Sequence, residues 1–130
     1  MTDIETFMHA SLATLRLYRN SVVFNRRAAT LLSPYPSKRI RFLSESDAVY
    51  VGGTDSRKGI APTRRKGRKG LEINSRSLCA ALSQRLGGHG VFRIREDRYT
   101  FHNGETCYLI ERVMLPGAKI GMATSQDSLP

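Results

Sequence analysis

Acidic residues are scarce in this chain: 11 Asp and Glu face 21 Lys and Arg among 130 residues, giving a net charge of +10. Cysteine is nearly absent too. Cys79 and Cys107 alone exclude a disulfide framework. No apolar run approaches the roughly 20 residues that span a bilayer. The opening Met1-Thr2-Asp3-Ile4-Glu5 carries acids where a secretory signal needs bases. The expectation is a cytoplasmic, reduced protein with no membrane partner. His9, His89 and His102 have no metal-ligand spacing with one another or with the cysteines. Gly52-Gly53 through Gly59 lacks the Gly-Lys-Ser/Thr ending of a phosphate-binding loop. The acidic pairs Glu45/Asp47 and Glu96/Asp97 fall in expected turns, and both cysteines in apolar settings. No catalytic set emerges, so neither an enzyme nor a cofactor or metal is expected.

What is present is globular. At 40% hydrophobic and 25% charged, the composition differs from that of a disordered chain, and the length suits one domain with six or seven short strands. The charge is concentrated. Residues 57–70, "RKGIAPTRRKGRKG", hold seven Lys and Arg and no acid, and residues 16–41 hold another seven, again without an acid. These segments carry +14 and the remainder −4. A positive field focused on one region fits a polyanionic partner, with DNA favoured over RNA. The alternative is basic loops that repel each other and stay hydrated.

Thr2-x-x-Glu5 forms a capping box, and Ile4, Phe7, Met8, Leu12 and Leu15 recur at helical spacing, predicting a helix over 4–16. Its apolar stripe fits packing on its own domain or on a second copy, as in a homodimer. "LYRNSVVF" reads as a strand, Asn25 as the cap of a short helix from Arg26 to Leu32, and "KRIRFL" and "AVYV" as strands around the turn "SESD". "LEIN" follows as a strand. Asn74 is read as the cap of a helix through about Leu86, "GGHG" as its end and "VFRIR" as a strand. The pair Asn103-Gly104 then joins "RYTFH" and "ETCYLIERVML" in a hairpin. "VVFNRR" aligns with "LEINSR", and Arg39-Ile40-Arg41 with Arg93-Ile94-Arg95. The expected fold is α+β: an N-terminal helix plus two similar β-α-β-β units forming a small, mainly antiparallel sheet or barrel-like domain. That domain spans 1–115, with unit one at 17–51, a mobile basic loop at 52–69 and unit two at 70–113. A flexible tail, 116–130, follows.

Val22, Phe24, Leu32, Ile40 and Phe42 fall at the apolar positions of the pattern of the SpoVT/AbrB swapped-hairpin family. The first unit resembles that family over about residues 22–42, and the second more faintly over 71–95. Asn25, Ala29, Ser33 and Ser37-Lys38 stand where the family has proline, arginine, glycine and Gly-Asp. The resemblance implies a barrel-like core of two units, within one chain or across a dimer, that binds duplex DNA through basic residues.

Strand alternation puts Arg39 and Arg41 on one face with Ile40 and Phe42 on the other, and repeats this for Arg93 and Arg95 against Phe92 and Ile94. Four guanidiniums on equivalent strands could fork onto phosphates or guanine edges. They could equally form a solvent face, paired with Glu45, Asp47, Glu96 or Asp97. Glycines and Pro62 deny the stretch "TRRKGRKG" regular structure, so Arg57, Lys58, Arg64, Arg65, Lys66, Arg68 and Lys69 read as a phosphate-engaging arm, with a plain linker as the alternative. Arg26 and Arg27 complete the expected nucleic-acid surface. The leading expectation is a small double-stranded-DNA-binding regulator or mobile-element accessory factor. One alternative is a single-stranded DNA or RNA binder that stacks bases on Tyr50, Tyr99, Phe101 and Tyr108. The other is a structural or assembly protein with an acidic protein partner.

Overall fold

Asn25 begins the fold with three hydrogen bonds. Its side-chain oxygen accepts from the backbone N–H of Ala28 at 2.9 Å and of Thr14 at 3.1 Å, and its amide nitrogen donates to the Leu12 carbonyl at 2.7 Å. The first bond caps helix α1 (Arg26–Leu32), as the sequence leads one to expect. The other two tie that helix to strand β1 (Thr14–Leu17). The computed structural model describes residues 12–32, 39–64 and 70–113. Helix α2 (Arg76–Leu86) is capped one residue later than expected, by Ser75, whose hydroxyl accepts from Leu78 N at 3.2 Å. It ends at left-handed Gly87, where Gly88 N reaches Ser83 O at 2.8 Å.

The remaining strands are β2 (Ser21–Phe24), β3 (Arg39–Glu45), β4 (Ala48–Thr54), β5 (Thr63–Arg64), β6 (Leu71–Asn74), β7 (Gly90–His102) and β8 (Glu105–Arg112). All pairings are antiparallel, in one open, half-barrel sheet of order β3-β4-β8-β7-β1-β2-β6-β5. Of the described residues 54% are strand and 20% helix. This overturns the expected α+β fold of an N-terminal helix and two β-α-β-β units. Residues 4–11 of the expected helix lie outside the described residues, and Thr14–Leu17 is a strand at the sheet's centre, paired with β2 and β7. Thr14-Leu15-Arg16-Leu17 alternates at period two as well as fitting a helical stripe. Pairing on both edges decides between the two. "LYRNSVVF" is likewise not one strand but the end of β1, an exposed turn at Tyr18-Arg19-Asn20, and β2. Strands from the two halves interleave, since β2 pairs with β6 and β4 with β8.

The 52–69 stretch is not one open loop either. Gly52, Gly53 and Thr54 complete β4, and Ile60 exchanges backbone hydrogen bonds with Ile40 at 2.7 and 2.8 Å. Thr63–Arg64 then pairs with β6, while residues 65–69 lie outside the described residues. Glycine is required at Gly52 by proximity, because a Cβ there would strike the Thr106 carbonyl. Asn103 and Gly104, with φ of 53° and 81°, close the β7–β8 hairpin as the Asn-Gly pair predicts.

The core lies on one face of the sheet beneath both helices. Leu15, Leu17, Val22, Phe24, Leu32, Ile40, Phe92 and Ile94 are all buried there. Phe42 is half-buried and stacks on Phe24 at 6.4 Å. Leu109 sits instead on the opposite face, in register between Arg95 and Tyr50. The expected tail, 116–130, lies outside the described residues.

Candidate nucleic-acid interface

The four strand arginines are not equivalent. Arg41 is only 14% exposed. Its Nη2 donates to the His102 carbonyl at 2.9 Å and lies 3.4 Å from Glu105 Oε1. Glu105 also accepts from Thr54 Oγ1 at 2.7 Å and from Asp55 N at 3.1 Å. Arg41 therefore clamps the hairpin tip to the β3–β4 edge. Arg95 forks onto Asp97 through Nε (2.9 Å) and Nη2 (2.7 Å), and its Nη1 reaches Glu111 at 2.7 Å. Arg39 and Arg93 are half-buried, and Arg39 Nη1 makes a long, 3.4 Å contact to Gly59 O. The sequence reading has the faces of Arg41 and Arg95 and, in its alternative, Asp97 as a partner of Arg95, but not Glu105 or Glu111.

The Arg95 fork holds the Asp97 carboxyl down at about 2. A depressed carboxyl stabilises the fold above its ordinary range and loses that contribution as pH falls toward its native value. Asp97→Asn is thus expected to lower the melting temperature at pH 7, with the gap to the parent closing as pH falls from 3.8 through about 2. Thermal melts across that range check it, and a gap that persists at pH 2 would assign the loss to packing.

Arg26 and Arg27 open α1 and are exposed. Arg27 forks onto both Glu96 oxygens at 2.9 Å, which raises its affinity for its proton, while Arg26 has no ion-pair partner among the described residues. Arg57 and Lys58 project from a folded turn in which Thr54 Oγ1 accepts from Ser56 N at 3.0 Å and Ser56 Oγ from Lys58 N at 3.1 Å. The Arg64 backbone lies in β5, and Arg65, Lys66, Arg68 and Lys69 lie outside the described residues.

A second grouping, of two cations with a histidine, escapes sequence reasoning. Ser21 lies opposite Asn74, and Leu17 opposite Gly90. This register brings the β1–β2 turn beside the start of α2 and the loop before β7. Arg19, Arg76 and His89 there line a groove of about 440 Å³ with Ala80, Ser83 and Gln84. Among the described residues no carboxylate comes within ion-pair distance of Arg19 or Arg76. Nearby, Arg112 lies 4.7 Å over the Phe92 ring and donates to His89 O at 3.1 Å. Arg19 and Arg76 are far apart in sequence, so only the strand register could have joined them.

The aromatics divide as well. Tyr99 and Phe101 are 55% and 66% exposed and meet edge to face at 5.5 Å, with Tyr108 at 6.4 Å from Tyr99. Tyr50 is half-buried between Leu43 and Leu109 in the register. Burial pushes the thiols of Cys79 and Cys107 up, which leaves little nucleophilic thiolate. Among the described residues no group of His, Cys, Asp and Glu could hold a metal, and no helix is long and apolar enough to cross a membrane. No family model, curated protein or solved structure matches the chain.

Proposed function

We propose that this is a nucleic-acid-binding protein that grips the phosphate backbone with cations left unpaired by its own carboxylates. One observation carries this reading. Glu96, Asp97, Glu105 and Glu111 are engaged by Arg27, Arg41 and Arg95, while Arg19 and Arg76 face an open groove without a counter-ion among the described residues. Guanidiniums already held by carboxylates have little to offer a phosphate, whereas unpaired ones release condensed counterions when they meet it. Base-edge reading by Arg41 and Arg95, as expected of a duplex-DNA regulator, is therefore replaced by phosphate contact at the sheet's end. Arg26, Arg57 and Lys58 supply further charge, with the cations of 65–69 assigned to the same role.

The test is a salt titration. Affinity for a labelled duplex should fall steeply with salt, by about 0.9 in log–log slope per phosphate neutralised. Arg19→Ser with Arg76→Ser should flatten that slope by about 1–2 and weaken all sequences alike. If the parent binds no nucleic acid at low salt, or binds with no salt dependence, the reading is wrong.

A further inference from the structure

We propose that the outer half of the β7–β8 hairpin is a stacking platform for the bases of a single-stranded nucleic acid, a site that rests on the nucleic-acid reading above. β7 runs for 13 residues, but β1 pairs only with its first part, Gly90 to Arg93. Beyond the register irregularity at Arg95/Tyr99, its one strand partner among the described residues is β8. Tyr108 lies opposite both Tyr99 and the fully buried Val51, so Tyr99 and Phe101 continue the core-side face past the point where the core ends. Two large rings thus stand in solvent where folding alone would not place them.

The platform is held rather than loose. Arg41 bonds the His102 carbonyl, Glu105 takes Thr54 and Asp55 N, and the tight turn at Asn103-Gly104 fixes the tip. The backbone that carries the rings is thus fixed before any ligand arrives, which lowers the entropy cost of binding. Their geometry selects the occupant. Tyr99 and Phe101 lie 85° apart, and the parallel base pairs of a duplex cannot stack on both. A single strand turns freely between nucleotides and can lay one base on each ring. Arg98, exposed and without an ion-pair partner among the described residues, precedes Tyr99 and can meet an intervening phosphate. The outer half of the hairpin carries Glu96, Asp97 and Glu105 against Arg98, so the cations that draw a polyanion here are the exposed Arg57 and Lys58 of the turn whose Asp55 N donates to Glu105.

The chain contains no tryptophan, so Phe101→Trp introduces a single indole fluorophore at the platform. Titration with an oligothymidylate, an oligouridylate and a hairpin duplex of equal phosphate number gives the test. The single strands should quench the indole emission and the duplex should not. Tyr99→Ala with Phe101→Ala should weaken single-strand binding about tenfold or more per ring, leaving duplex affinity and the salt slope unchanged. Both rings are exposed, and an unchanged melting temperature confirms that the variants fold. If the alanine pair binds single strands as tightly as the parent, the platform is overturned while the phosphate reading stands. If the parent binds neither form, both fail. Should the parent be a dimer that the alanine pair turns into a monomer, a second copy covers the rings and the proposal is equally overturned.

Discussion

Replacing Phe92 by alanine is expected to destabilise the protein by about 3–5 kcal/mol. Phe92 is fully buried on β7, with Leu15 of β1 opposite on one side and Arg112 of β8 on the other. Its ring supports the Arg112 guanidinium at 4.7 Å, and Arg112 in turn bonds His89 O at 3.1 Å and Leu86 O at 3.5 Å, joining β8 to the end of α2. Removing the ring leaves a cavity and takes away the surface on which that cation rests. Domains of this size hold only about 5–15 kcal/mol in all, so the loss is a large share. Urea unfolding checks it: the midpoint should fall with little change in the m-value. Tyr99→Ala on the same strand should cost within about 0.5 kcal/mol, as exposed positions usually do. A similar small loss for Phe92 would mean that the inward face of β7 has been misassigned.

That face was legible because period-two alternation is a local signal. Ile40 and Ile94 alternate with arginines, and both are buried as the pattern requires. Asn25 and Asn103-Gly104 were legible for the same reason, since caps and tight turns are written in adjacent residues. Strand β1 was not. Its four residues satisfy two periodicities, and what makes it a strand is the pair of neighbours, β2 and β7, that the linear pattern does not name. The folded part of the basic stretch was hidden by composition. Glycine, proline and charge pointed to an open loop, while the lone Ile60 carried the contact that returns the chain to Ile40. The candidate interface shows the same limit. Alternation placed Arg41 and Arg95 on a face, but whether a guanidinium is free depends on partners such as Glu105 that long-range pairing brings beside it. Arg19, Arg76 and His89 form a groove only once the register is known.

Arg41→Ala is the second large effect, expected at about 2–4 kcal/mol. Breaking a buried pair takes the Arg41 charge away from the Glu105 carboxylate. The cost here falls toward the lower part of that range because Arg41 and Glu105 remain 14% and 23% exposed. Glu105 would keep Thr54 and Asp55 N but lose the charge beside it, and His102 O would lose its donor. Arg41→Lys should fall between, since an ammonium restores charge without the fork. A double-mutant cycle isolates the coupling: Arg41→Ala with Glu105→Ala should cost less than the two single losses added together. The functional signature separates a clamp from a ligand. Loosening the tip should weaken single-strand binding by disturbing Tyr99 and Phe101, with no change in salt slope. If Arg41→Ala instead keeps full stability and flattens the duplex slope by about 0.9, Arg41 is a phosphate contact and the clamp is not its role.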